Sequence, residues 1–138
     1  LAKGILSSKY FEDLKRSWQE LDVVVVGIGG QVDEKNRQWL DMLTAEDFRT
    51  VENEGAVGEI CCRFFDENGE LVDEQLQNRT VAISLDYLKT VPHSLAFAYG
   101  RQKAAAILAV LRAGYVNHLV TDEATILKVL ELDSSAVN

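Results

Sequence analysis

The run Val23-Val24-Val25-Val26-Gly27-Ile28 constrains this chain more than any other stretch. Four consecutive β-branched residues are stiff at the first side-chain torsion and favour an extended backbone. No polar residue alternates with them, so neither face is marked for solvent. The run reads as a central strand of a parallel sheet, covered on both faces. It ends in Gly27-Ile28-Gly29-Gly30, where the backbone can turn sharply into a loop.

The last third of the chain supplies partners for such a strand. Residues 93–98 read as a strand, Gly100 as a turn and residues 101–113 as a helix. Gly114 closes that helix where a left-handed residue is needed. Residues 116–120 form another strand, and Thr121-Asp122-Glu123 caps a final helix carrying Ile126, Val129 and Leu130. Strand, helix, strand and helix with short connections imply a right-handed crossover and a parallel sheet.

The earlier segments are less regular. Ile5, Leu6, Tyr10, Phe11, Leu14 and Trp18 recur at helical spacing, although Gly4 and the serines at 7 and 8 weaken the opening turns. Residues 31–55 are polar and hold one or two short helices, with Thr44 as a cap and Gly55 as a stop. Residues 58–66 read as one strand, Asp66-Glu67-Asn68-Gly69 as a turn, and residues 70–75 as the returning strand of a hairpin. Residues 80–84 read as a further short strand, followed by a helical turn at residues 85–89. The expected class is α/β: a three-layer, mostly parallel sheet with a β-hairpin insertion.

A chain of 138 residues is expected to form one domain. Its formal charge of −8 argues against a nucleic-acid groove, which needs clustered Lys and Arg. No apolar run approaches the roughly 20 residues of a membrane span, and no basic-then-apolar leader precedes the first helix. A chain opening on Leu1 rather than Met is expected to be a piece of a longer protein. Cys61 and Cys62 are adjacent, and in a strand they would point to opposite faces, which suits free thiols in the cytoplasm. His93 and His118 stand isolated in the sequence. No His, Cys or carboxylate cluster has metal-ligand spacing, so neither a metal nor another cofactor is expected.

In open parallel sheets, ligands bind beyond the carboxyl ends of the strands. Three stretches would lie there: Gly27 to Gly30, Tyr99 to Lys103, and Thr121 to Glu123. Gly27, Gly29 and Gly30 could bring free amides to a ligand, or could serve only to let the strand turn. Lys103 is the sharper candidate. A cation at a helix start is unfavourable unless something anionic or richly hydroxylated lies opposite, although a solvated lysine is the common alternative. Glu59, directly before an apolar strand, could accept hydrogen bonds from ligand hydroxyls or face water. Arg63 reads as an edge or ion-pair residue rather than a ligand.

These residues occur in a pattern. Gly55-Ala56-Val57-Gly58-Glu59-Ile60, then Arg63-Phe64-Phe65-Asp66 and Asn68-Gly69, resembles the effector-binding domain of SorC/DeoR-type sugar-binding transcriptional regulators. The similarity continues through Gly100, Lys103, Ala106-Ile107, Leu111-Arg112-Ala113-Gly114 and residues 119–125, and includes residues 22–29.

The resemblance implies a Rossmann-like fold shared with glucosamine-6-phosphate deaminase and ribose-5-phosphate isomerase, with no catalytic role. It implies that residues 1–138 are the C-terminal portion of a sugar-binding effector domain, without the helix-turn-helix domain and without the first half of the sensor. The effector would be a sugar, usually phosphorylated. Contact with DNA would run only through the absent N-terminal domain, and the protein would be a cytoplasmic dimer or tetramer. By position, Glu59 and Lys103 match ligand residues of the family, with Gly27, Gly29 and Gly100 lining the same pocket. Tyr99 departs from the family's Gly-Gly before the lysine, and a phenol there would narrow the pocket or stack on a sugar face. The competing reading is a sugar-phosphate isomerase or deaminase of the same fold, for which no second base is evident.

Overall fold

A computed structural model of the protein describes residues 1–32 and 42–136. The part of the polar stretch that falls at residues 33–41 lies outside them.

The opening helical pattern is split. Ser7 and Ser8 interrupt it, giving α1 (Ala2–Leu6) and α2 (Lys9–Gln19). The Ser8 hydroxyl accepts the Phe11 amide and so caps α2. β1 (Val23–Gly27) follows, then α3 (Ala45–Asn53). Thr44 and Asp47 form a reciprocal capping box at the start of α3. Gly55, at φ +75°, turns the chain out of it. Next come β2 (Gly58–Ile60), β3 (Arg63–Phe65), α4 (Glu74–Arg79) and α5 (Leu85–Thr90). The last third is β4 (His93–Phe97), a 3-10 turn (Arg101–Lys103), α6 (Ala104–Ala113), β5 (His118–Val120) and α7 (Glu123–Ser135). Gly114 ends α6 in the left-handed conformation, as its position in the sequence required.

The main sheet has the order β1-β4-β5, and both pairings are parallel. Val25 lies beside Leu95, and Ala96 beside Leu119. One face is packed. Ser94, Ala96 and Ala98 are buried against a core that includes Ala106, Ile107 and Val110 of α6 and Val129 of α7. α6 is almost entirely Ala, Leu, Ile and Val. Its small residues let it approach the sheet closely.

Three expectations change. Among the described residues β1 is an edge strand covered on one face and not a central strand covered on both: it pairs only with β4, and Val23 and Val25 are exposed. The described residues thus build the sheet and the helices of its packed face. Second, residues 58–66 are not one strand. They fold at Cys61-Cys62, whose φ angles of 53° and 60° make a two-residue turn between the antiparallel β2 and β3. Side chains rarely take that backbone, which is why the sequence hid the turn. Third, the expected return strand shrinks to a single bridge between Phe65 and Leu71, and residues 80–84 form no strand. Asp73, itself left-handed, instead caps α4 by accepting the Leu76 amide.

The hairpin region has its own core around Phe48, Val51, Phe64 and Leu76. Arg63 holds it to the following loop, donating to the carbonyls of Ala82 (2.9 Å) and Ile83 (3.1 Å) and to Gln77 Oε1 (2.8 Å). Its role is therefore a clamp. Among the described residues no helix is long and apolar enough to cross a membrane.

Candidate functional site at the strand tips

The loop leaving β1 organises the site. Gly29 makes an antiparallel bridge with Glu59: its amide donates to the Glu59 carbonyl (2.9 Å) and its carbonyl accepts the Glu59 amide (3.2 Å). The Gly29 amide is thus committed to the hairpin and is not free for a ligand, contrary to the expectation. Glycine leaves room there for the Glu59 carboxylate, which a Cβ at this position would displace. Gly58 is equally constrained, lying against Ala106 of α6 and the Gly29 carbonyl. Two close approaches therefore lock β2 to the tip of β1 and to the start of α6.

Glu59 is held from two sides. Its Oε2 accepts the Cys62 amide at 3.1 Å, so the strained cysteine turn aims a donor at the carboxylate. Burial raises its pKa above the usual carboxylate range, while the Cys62 hydrogen bond and the nearby positive charge of Lys103 oppose that rise. The cysteines are free thiols. Burial and the Glu59 charge push both pKa values up, making them poor nucleophiles at neutral pH.

Lys103 closes the 3-10 turn ahead of α6. Its Nζ donates to the Ile28 carbonyl at 2.9 Å, bringing the ammonium to the β1 loop. Its stem lies along Gly30, where an added Cβ would sit 3.3 Å from Lys103 Cγ. Glu59 and Lys103, far apart in sequence, thus flank the same tripeptide, residues 28–30. The partly buried carboxylate is an acceptor and the ammonium a donor. Such a pair can address neighbouring hydroxyls of one ligand, and the ammonium can also meet an anionic group.

Gly100 is needed for its backbone, with φ at +110°. Its amide donates to Thr125 Oγ1 at 2.8 Å and its carbonyl accepts the Lys103 amide at 2.9 Å. It shapes the turn that presents Lys103 instead of offering a free amide. Thr125, fully buried, donates its own hydroxyl hydrogen bond to Asp122 Oδ2 (2.9 Å), while Asp122 Oδ1 accepts the Thr125 amide (2.8 Å). Those two hydrogen bonds hold the Asp122 carboxyl below the usual range. The Asp122–Thr125 unit therefore caps α7 and anchors the Gly100 turn in a single arrangement. The sequence showed the helix cap but gave no sign of the contact with Gly100.

Gly27 ends β1, and the space where its Cβ would be is open. Tyr99 stands exposed at the tip of β4. His93 and His118 are not isolated: they start adjacent parallel strands, with Nδ1 of one 3.4 Å from Nε2 of the other and rings stacked. They lie at the amino ends of the strands, away from the Glu59–Lys103 tips. Among the described residues, no group of three or more His, Cys, Asp or Glu is placed to hold a metal ion.

Comparison with known proteins gives a consistent result. Residues 1–131 match the family described as "Putative sugar-binding domain". The sorbitol operon regulator of Klebsiella pneumoniae is 33% identical over 125 residues, 91% of this chain and 40% of that protein. The transcriptional regulator LsrR of Escherichia coli K12 is 32% identical over 133 residues, 94% of this chain and 42% of that protein. Among solved structures, a transcriptional regulator from Streptococcus pneumoniae TIGR4 superposes with a TM-score of 0.91 at 59% identity, covering 96% of this chain and 51% of that one. Full-length SorC from K. pneumoniae gives a TM-score of 0.81 at 33% identity. The chain spans between 40% and 51% of the length of each. It belongs to the sugar-binding domain family of SorC-type transcriptional regulators.

Proposed function

We propose that this chain is the effector-sensing portion of a bacterial transcriptional regulator and that its effector is a phosphorylated sugar. The observation that carries the reading is the convergence of the Glu59 carboxylate and the Lys103 ammonium on residues 28–30 at the carboxyl ends of the strands. Glu59 accepts from sugar hydroxyls, and Lys103 donates to a hydroxyl or phosphate oxygen. Gly27 leaves open space beside them, while Gly29 and Gly100 set the loops that bear them. DNA contact belongs to another domain, since the charge of −8 disfavours it here. Sensing follows from linkage: an effector that prefers one arrangement of domains or subunits shifts DNA affinity by that difference. Its setting is the cytoplasm, as a dimer or tetramer.

A thermal-shift screen of the protein against phosphorylated and unphosphorylated sugars tests this. A ligand bound by the native state at a hundred times its Kd stabilises it by about 2.7 kcal/mol. The expected result is a shift with one or more sugar phosphates that disappears in Lys103→Ala and in Glu59→Gln. Absence of any shift, or a shift unchanged by both substitutions, refutes the reading.

A further inference from the structure

The pleat of the sheet sorts the residues at its carboxyl tips onto two faces. In β4, Ser94, Ala96 and Ala98 enter the core, so Phe97 and Tyr99 point the other way. Gly27 is the register partner of Phe97, and paired residues of neighbouring strands share a face. Ile28 enters the core, which turns Gly29 to the same face as Gly27, and a Cβ on Gly29 would point into the Glu59 carboxylate. Tyr99, the open position 27 and the Glu59 carboxylate therefore share one face of the tips. Lys103 Nζ is tied to the Ile28 carbonyl of the same loop.

We propose that Tyr99 is a specificity-determining residue: its ring stacks on the C–H face of the effector's sugar ring, so the sensor takes ring-closed sugar phosphates in preference to open-chain ones. This rests on the sugar reading of the site and adds to it the form of the sugar. Three observations carry it. β1 places no side chain of its own beside Tyr99, since position 27 is open and position 29 gives way to Glu59. The glycines thus make a floor, and the phenol on the adjacent strand makes a wall. Second, that wall is anchored from both sides. The Ala98 amide donates to the Val120 carbonyl (3.1 Å) and the Gly100 amide to Thr125 Oγ1 (2.8 Å), which fixes the backbone that bears Tyr99. Third, the polar groups complement an aromatic wall. A sugar ring presents weakly positive C–H hydrogens on a flat face and hydroxyls around its rim. The negative π-face of the phenol suits the first, and the Glu59 acceptor and Lys103 donor suit the second. An open-chain phosphate has no fixed flat face and must freeze its rotors to bind.

The test is isothermal titration calorimetry of the protein with hexose and pentose phosphates. Each is compared with the alditol phosphate made from it by borohydride reduction, which keeps the carbon skeleton and phosphate and removes the ring. The protein is expected to bind at least one sugar phosphate about tenfold or more tighter than its reduced form. Tyr99→Phe keeps that preference, because the π-face remains. Tyr99→Leu keeps apolar bulk without a π-face and lowers the preference to about twofold or less, with little change for the alditol phosphate. Circular dichroism of both variants stays native, since Tyr99 lies outside the core. Alditol phosphates that bind as tightly as the sugars, a preference lost in Tyr99→Phe, or one retained in Tyr99→Leu overturns this inference and leaves the Glu59–Lys103 reading standing. Binding of neither series overturns both.

Discussion

Two glycine-to-alanine substitutions, made one atom at a time on facing backbones, probe how the site is assembled. In Gly29→Ala the new methyl would collide with Glu59 Oε1 and lie 2.8 Å from its Cγ and 2.9 Å from its Cδ. Carbon contacts are comfortable near 3.5–4.0 Å, so the side chain must move. All three atoms belong to one flexible side chain, which swings outward and gives up the Cys62 amide. A hydrogen bond to a charged group contributes about 1.5–3 kcal/mol, but the released carboxylate regains water and sheds its burial cost. The net loss is about 1 kcal/mol, or roughly 4 °C in Tm for a domain of this size. Gly58→Ala differs in kind. Its methyl would meet Ala106 Cβ, the Gly29 carbonyl at 2.5 Å and Phe65 Cζ at 3.2 Å, on a helix, a backbone and a buried ring. None of these can rotate away, so overpacking at the upper end of about 1–3 kcal/mol applies, or roughly 10 °C. Thermal and urea melts of both variants give the comparison. Melting temperatures within 2 °C of one another would show that the Glu59 side chain is not the yielding element and that the lock described here is wrong.

Two further outcomes follow from the same geometry. Burial raises the native pKa of Glu59 above its ordinary value of 4.5, so the folded state binds the proton more readily than the unfolded one. Between those two values stability therefore falls as pH rises. Glu59→Gln should flatten that limb of the pH–stability curve and raise stability at pH 7 by about 0.5–2 kcal/mol, at the expense of binding; equal pH dependence in the two proteins refutes the assignment. Arg63→Ala removes donors from Gln77, Ala82 and Ile83 and should cost about 2–4 kcal/mol in denaturant unfolding. Lysine should rescue little of this, since it lacks the planar fork; full rescue by Arg63→Lys would mean that charge, not geometry, holds the loop.

What could be read from the residues alone was local. The caps at Thr44 and Asp122, the left-handed Gly114 and the strand–helix alternation of the last third depend on neighbours within a turn or two, so the chain states them directly. Glu59 and Lys103 emerged as candidates because glycines beside them marked strand ends and because the motif order resembled a known family. The rest was settled by contacts between distant segments. Nothing near Cys61-Cys62 announces a tight turn, since neither residue favours positive φ; the turn exists because Gly58 and Glu59 are gripped by α6 and Gly29 on one side and β3 returns along the other. The register of β4 against β5 brought His93 to His118. The valine run specified a strand buried on both faces, yet which face is covered depends on what packs there, and α6 reaches only one. Side-chain preferences act over a few bonds, whereas register, burial and the meeting of a carboxylate with an ammonium depend on the whole chain being folded.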